Sequence, residues 1–314
     1  MEPIKNTLQE MMNKNSFQNR LLKVKKEILS NEQIREFVAD HALSRTTVER
    51  SLSKLYEFNQ QHKNCVKCPG LALCPNVLKG YSPNLFLNQG SIDVGYSPCP
   101  LKEKQDEERR QRSLFQSLYV PKEVLNARFL EIEINPERFD AIQTAEKYVK
   151  DFVPGKTKHG LYFYGDFGVG KTYVMCAIAN ELALLKNVKS LMVYTPDFFR
   201  DLKNAIGSDR FLEKLTYIKT VPLLILDDIG AEAISGWIRD EVLGSILQYR
   251  MMENLPTLYS SNYDYNELEE HLAYSEKAGT ELLKAKRIME RIRHYTISKY
   301  IGGKNRRENF SLSK

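Results

Sequence analysis

The octapeptide Gly165-Asp166-Phe167-Gly168-Val169-Gly170-Lys171-Thr172 follows the apolar run Leu161-Tyr162-Phe163-Tyr164 and leads into Val174, Ile178, Leu182 and Leu185 at helical spacing. The pattern is strand, glycine-rich loop, helix, with G-x-x-x-x-G-K-[ST] in the loop. Glycines let successive backbone N–H groups curl around phosphates, and the helix N-terminus adds its partial positive charge. Lys171 can reach the β- and γ-phosphates, and the Thr172 hydroxyl can ligate Mg²⁺. The competing reading is a glycine-rich strand–helix turn that matches by chance. The flanking strand and helix favour a site for a nucleoside triphosphate, with ATP and Mg²⁺ as the expected cofactors.

Beyond this loop, apolar strand patterns alternate with amphipathic helices, which predicts an α/β domain with a parallel sheet and crossover helices. Strands are expected at 190–194, 221–226 and 257–261, and helices at 195–206, 238–251 and 281–294, with Thr195 as N-cap and Pro196 in the first turn. The run Pro222 to Leu226 delivers Asp227 and Asp228 at the C-terminal end of a strand, where parallel sheets bind ligands. Asp227 is the expected Mg²⁺ partner, and Asp228 the group that orients or activates the attacking water. An ordinary Asp-Asp turn is the alternative. Asn262, at the tip of the 257–261 strand, suits a role beside the γ-phosphate, or merely ends a strand. In the late basic helix Arg287 and Arg291 share a face. One of them can act as an arginine finger on a neighbouring subunit, Arg291 being favoured, or the face is solvated or touches a DNA backbone.

Upstream of the lead-in helix at 141–152, the chain has another character. Residues 1–62 contain no glycine and read as helical, with a basic stretch at Arg20–Lys26 and an apolar face at Val48, Leu52, Leu55 and Tyr56. Four of the five cysteines follow, at Cys65, Cys68, Cys74 and Cys99. The C-x-x-C pair can share one tetrahedral Zn²⁺, and Cys74 and Cys99 can close a structural site, with His62 as the nearby substitute. Buried free thiols or redox thiols are the other reading. Residues 102–112 are almost entirely charged and suit a solvated helix between domains.

The formal net charge of +6 suits an anionic partner without requiring one. No run of 18 apolar residues exists, so no membrane span is expected, and the first residues show no signal-peptide pattern. A cytoplasmic location follows as the expectation.

Taken together, the phosphate loop, Asp227-Asp228, Asn262 and the Arg287/Arg291 helix resemble the AAA+ ATPases of the initiator and helicase-loader clade. Asn126-Ala127-Arg128-Phe129 and the run Leu226 to Glu232 look like its DnaC/IstB branch, and the cysteine cluster resembles primosomal helicase loaders of the DnaI type. That resemblance implies a smaller, mainly helical, zinc-binding N-terminal domain at 1–118 that grips the hexameric replicative helicase. It also implies a lead-in at 119–139 and an AAA+ ATPase domain at 140–314 that binds ATP and single-stranded DNA and self-associates. Residues Ala233 to Tyr249, with Trp237 and Arg239, sit where the clade carries an extra helical element that shapes its DNA-binding spiral. Some relatives have a histidine ligand between the third and fourth cysteines; serine stands in Gly80-Tyr81-Ser82-Pro83, so the four cysteines are assigned the metal. The rival functions are a transposition-helper ATPase of the IstB type, a nucleotide-switched DNA-binding regulator with little turnover, and, third, a small-molecule kinase.

Overall fold

The computed structural model describes residues 14–232, 235–275 and 279–306. Ala233, where the extra helical element is expected to begin, and the first thirteen residues of the chain lie outside them. The chain divides into two compact units, Met1–Glu108 and Arg109–Lys314.

In the first unit, helices α1 (Lys14–Leu29), α2 (Glu32–Asp40), α3 (Arg45–Arg50) and α4 (Leu52–Val66) precede an antiparallel hairpin of β1 (Tyr81–Asn88) and β2 (Ser91–Pro98). Side chains start two of these helices. Asn31 accepts the Ile34 N–H and Ser44 the Thr47 N–H, which satisfies amides that have no partner inside the helix. Ile28, Ile34, Val48, Leu55 and Phe58 form a small core that Ile92 of the hairpin completes. The sequence pattern does not announce this hairpin. Its loop, Gln89-Gly90, has positive φ at both positions, as tight primed turns require, but glutamine is an unusual first residue for one. Pro83 within β1 further disguises the strand.

Helix α5 (Pro100–Leu114) spans the charged run and has no buried residue. The second unit then begins its sheet earlier than the sequence suggests. Phe115–Leu118 forms β3, an edge strand paired with the strand Ser190–Tyr194, although the lead-in is expected to start only at residue 119. A four-residue strand behind a charged helix leaves too short an apolar pattern to read.

The sheet is completed by β4 (Gly160–Tyr164), β5 (Ser190–Tyr194), β6 (Leu223–Asp227), β7 (Thr257–Ser261) and β8 (Thr296–Tyr300), in the order β8-β4-β7-β6-β5-β3. All its pairings are parallel. Strand residues alternate between two cores, the period-2 geometry of a sheet covered on both faces. Leu161, Phe163, Met192, Leu223 and Ile225 face one core, with α6 (Pro136–Asp151) and α7 (Lys171–Lys186) packed on it. Tyr162, Leu191, Val193, Leu224 and Leu226 face the other. That core is covered by α8 (Thr195–Asn204), α9 (Asp209–Thr220), α10 (Gly244–Met252), α11 (Tyr265–Ala273) and α12 (Leu282–His294). Each buried Leu or Ile contributes about 1.5–3 kcal/mol, so the strands are fixed in register by burial from both sides. The architecture is three-layered α/β/α. It sets the C-terminal tips of β4, β7 and β6 side by side.

A π-helical turn, Ile238–Leu243, precedes α10 in place of the regular helix expected there. Arg239 is fully buried within it, donating to Asp240, to Glu281 and to the Leu272 carbonyl, while Trp237 packs on Phe211. Arg239 is therefore a structural anchor. It does not present a cation for a nucleic-acid backbone.

Candidate nucleotide-binding site

The loop between β4 and α7 is held so tightly that glycine is required. Gly165 has φ +146°, and a Cβ there would lie 2.1 Å from the Ile301 carbonyl oxygen. At Gly168, with φ +76°, it would lie 1.8 Å from Asn305 Oδ1. Val169 is buried beneath the loop, Asp166 and Phe167 are exposed, and Gly170 precedes the first turn of α7.

Lys171 is 8% exposed, and its ammonium donates to the carbonyls of Gly165 (2.7 Å) and Asp166 (2.8 Å) and to Asn262 Oδ1 (2.7 Å). Asn262 in turn donates from Nδ2 to Asp228 Oδ1 at 3.1 Å. One asparagine thus links the phosphate-loop lysine on α7 to the second carboxylate beyond β6. The Thr172 hydroxyl donates to Asp227, 3.0 Å from Oδ1, and Ser260 donates to the same oxygen at 2.5 Å. Burial pushes the Asp227 carboxyl up to about 6, against the downward pull of those two hydroxyl bonds.

Asp228 sits at φ +59°, a left-handed conformation uncommon for a residue with a side chain. Its N–H donates to Ser260 Oγ at 2.9 Å, and its carbonyl lies 3.2 Å from the Thr195 hydroxyl. Thr195, expected to cap α8, makes no cap bond. Its hydroxyl reaches instead the carbonyls of Asp227 and Asp228 and the carboxylate of Glu232. Glu232 also accepts the Gly230 N–H at 2.9 Å, and its other oxygen is buried without a partner among the described residues. Burial raises this carboxyl to about 7.

A pH-dependence follows. Folded Glu232 keeps its proton to about pH 7, whereas in the unfolded chain it loses it near the ordinary glutamate value. Folding then takes up a proton between those values, so stability falls as pH rises through that window and levels off above it. Glu232→Gln is expected to remove this component. The check is the difference in Tm between wild type and variant across that range, and parallel curves would refute it.

The structure brings together Lys171, Thr172, Asp227, Asp228 and Asn262. It places the arginines elsewhere. Arg287 is exposed on α12, and Arg291, half-buried, donates to the Gly244 carbonyl at 3.2 Å. Arg291 lies among Arg250, Thr257, Tyr295 and Thr296, at the starts of β7 and β8, the end of the sheet opposite the phosphate loop.

Sequence reasoning misses a second cluster beside the loop. Arg138, 2% exposed, donates to the Glu133 carbonyl, and its Nη2 would lie 2.9 Å from a Cβ at Gly170. The Arg306 N–H donates to the Gly168 carbonyl at 3.0 Å, and its guanidinium pairs with Glu133 at 2.9 Å. Asn135 Oδ1, Arg138 Nε and Arg306 Nη2 are all buried with no partner among the described residues. Unspent polar groups ringing a phosphate-type loop fit an anionic, hydrogen-bonding ligand such as ATP. Asn135 next to Pro136 reads only as a helix start, and Arg306 lies far along the chain, so neither carries a sequence signal.

In the first unit, Cys65 lies near the end of α4, Cys68 is exposed just beyond it, and Cys74 and Cys99 are half-buried. Asn76 Nδ2 donates to Cys65 Sγ (3.1 Å) and to the Tyr81 carbonyl (3.0 Å), and the Gly80 N–H donates to Cys74 Sγ (3.4 Å). The Cys99 N–H donates to the Gly80 carbonyl at 2.8 Å. Three of the four cysteines are thus tied to the Gly80-Tyr81 backbone. No group of three or more His, Cys, Asp or Glu among the described residues is arranged to hold a metal ion. His62 stacks on Phe58 and approaches Asn31 Nδ2 through its ring nitrogen. The fifth cysteine, Cys176, is buried in α7 against Met192, where burial pushes its thiol up. Among the described residues, no helix is long and apolar enough to cross a membrane.

Comparison with known proteins agrees with this geometry. A family model described as "Primosomal protein DnaI N-terminus" matches residues 1–96, and one described as "IstB-like ATP binding protein" matches residues 100–311. The replicative helicase loader DnaI of Bacillus subtilis is 42% identical over 310 residues, covering 98% of this chain and 99% of that protein. A crystal structure of DnaI is 51% identical, with a TM-score of 0.55, and covers 63% of this chain and 99% of that one. A putative primosome component from Streptococcus pyogenes is 36% identical, with a TM-score of 0.53 over 63% of this chain and 98% of that one. The chain belongs to the DnaI family of replicative helicase loaders, built on an IstB-like AAA+ ATP-binding domain.

Proposed function

We propose that this chain is an ATP-switched loader that binds the hexameric replicative DNA helicase in the cytoplasm and helps place it on single-stranded DNA. The observation that carries the switch is the chain of bonds Lys171–Asn262–Asp228. A γ-phosphate entering the loop competes with Asn262 for the lysine. Released from Lys171, Asn262 keeps its bond to Asp228, so a change at the phosphate is felt at the carboxylate that orients the attacking water. Thr172 and Asp227 would hold Mg²⁺, which neutralises phosphate charge. Ser260 and Thr195 fix the two backbone positions from which Asp227 and Asp228 project. Asn135, Arg138 and Arg306 complete the nucleotide contacts. Arg291, turned away from its own phosphate loop, serves as finger for a neighbour in an assembled ring or spiral, with Arg287 beside it.

Cys65, Cys68, Cys74 and Cys99 would hold a structural zinc in the N-terminal unit, which requires the four sulfurs to draw closer together than they lie here. The N–H···S bonds at Cys65 and Cys74 and the shared Gly80-Tyr81 backbone, which ties three of the four cysteines to one stretch of chain, support this reading. The zinc-stabilised unit is the helicase grip. Single strands are bound through backbone contacts and stacking, without base preference.

The test is co-elution of the full chain, and of its residues 1–118, with the organism's replicative helicase. The expected result is that the short segment alone is retained by the hexamer and that zinc chelation abolishes retention. If neither protein binds, the loader reading fails, and the transposition-helper reading must be tested against a transposase. Retention that survives complete chelation would leave the loader reading standing and remove the zinc.

A further inference from the structure

At the end of β4 opposite the phosphate loop lies a cavity of about 520 Å³, lined among others by Lys147, Tyr148, Phe152, Lys156, Lys158 and Lys299. Its size is that of a small-ligand site. β4 is five residues long, so the cavity and the phosphate loop are separated by roughly 17 Å of strand. The two do not share residues.

The lining is strongly cationic. Four lysines face one carboxylate, Asp151. Lys299 is paired with Asp140, but Lys147, Lys156 and Lys158 form no ion pair among the described residues. The C-terminal carbonyls of α6 would oppose an anion here. Their pull is offset by a cation, because Lys186 Nζ donates to the carbonyls of Lys150 and, just past the helix, Phe152, each at 2.6 Å. The wall is aromatic as well. Tyr148 and Phe152 meet edge to face at 5.7 Å, and His159 stacks on Tyr295 at 5.9 Å. The Tyr148 hydroxyl is itself buried and Phe152 is a core residue, so the half-buried Tyr148 ring and the exposed His159 are the rings open to the cavity. Unpaired cations and aromatic rings in one lining are what a phosphorylated heterocycle requires.

We propose that this cavity is a second binding site, for a nucleoside phosphate, distinct from the phosphate loop. Lys156 and Lys158, on the loop before β4, meet the phosphate. The rings of Tyr148 on α6 and of His159, just before β4, pack against the base.

The experiment is calorimetric titration of the full chain with ADP, read as stoichiometry per chain. Two sites are expected. Lys171→Ala should remove one, and Lys156→Glu with Lys158→Glu should weaken the other by about 10- to 100-fold, the loss of charge-assisted contacts. Both lysines are exposed, so the double variant folds. His159→Ala, which removes an exposed ring from the lining, should cost this second site about 5-fold. A single site that vanishes with Lys171→Ala overturns the proposal. So does a second site indifferent to both the lysine and the histidine variants. If Lys171→Ala leaves both sites intact, the phosphate-loop reading fails and this one stands. If the lysine variant weakens binding of oligothymidylate while ADP still binds one site only, the surface contacts nucleic acid and the small-ligand proposal is overturned.

Discussion

Lys171→Ala is expected to lower ATP affinity and turnover by about 100- to 1000-fold, the scale seen when one preorganised donor is removed from a reaction centre. The reason is specific to this loop. Lys171 is nearly buried, and its ammonium is already desolvated among two carbonyls and Asn262. An incoming phosphate therefore meets a cation that has little water left to shed. Alanine removes the charge and leaves three acceptors facing the space where phosphate would sit. The fold should persist, because the side chain bonds the loop and Asn262 and takes no part in the apolar cores. Fluorescent-nucleotide titration with a parallel melting curve separates the two effects. Wild-type affinity in the variant would refute the assigned role.

Arg250→Met should cause a large loss of stability. Arg250 is 1% exposed, and no carboxylate pairs with it among the described residues. Its fork instead collects main-chain oxygens: Val221 and Pro256 at 2.7 Å, with Ile218 and Lys219 just beyond, while Nε donates to Thr257. The carbonyls of Ile218, Lys219 and Val221, at and just beyond the end of α9, have no partner inside the helix, while that of Pro256, before β7, also accepts the Leu224 N–H at 3.4 Å. Burial pushes the guanidinium down to about 10, still charged at neutral pH. Methionine fills the volume but strands several buried acceptors, at a cost of about 3–5 kcal/mol. For a domain of this size that is a fall in Tm of about 10 °C. Lysine should not rescue it, since a single ammonium cannot reproduce the planar fork. A drop below about 2 °C in thermal unfolding would show that the carbonyls find other partners.

The centre of the domain is legible in the sequence because its signals are local and periodic. The phosphate loop needs glycine at fixed offsets, and β4 to β7 are buried on both faces, so each reads as an apolar run. The acids and Asn262 lie immediately at strand tips, which makes their convergence foreseeable from order alone. What escapes depends on contacts between residues far apart in sequence. Ser260 reads as strand interior, yet it bonds Asp227 and the Asp228 amide because β7 lies beside β6. Thr195 reads as a cap, yet burial beside the Asp227-Asp228 turn redirects its hydroxyl. Arg250 reads as one more basic residue on an amphipathic helix, and only the burial of its whole face makes it a staple. The edge strands β3 and β8 escape notice because β3 has four residues and both are only partly buried, so neither shows a full apolar pattern.

The position of β8 has a consequence for synthesis. The strand that carries the phosphate loop, β4, is made long before β8, its neighbour on one side, and without β8 it is an open edge. The Ile301 N–H closes onto the Tyr164 carbonyl, and the Arg306 N–H onto the loop itself at Gly168. A growing chain can therefore assemble most of its core while the ribosome still holds the segment that finishes the ATP pocket. The nucleotide pocket thus gains its last wall, Ile301 to Arg306, after the phosphate loop and the strands that face it have been made.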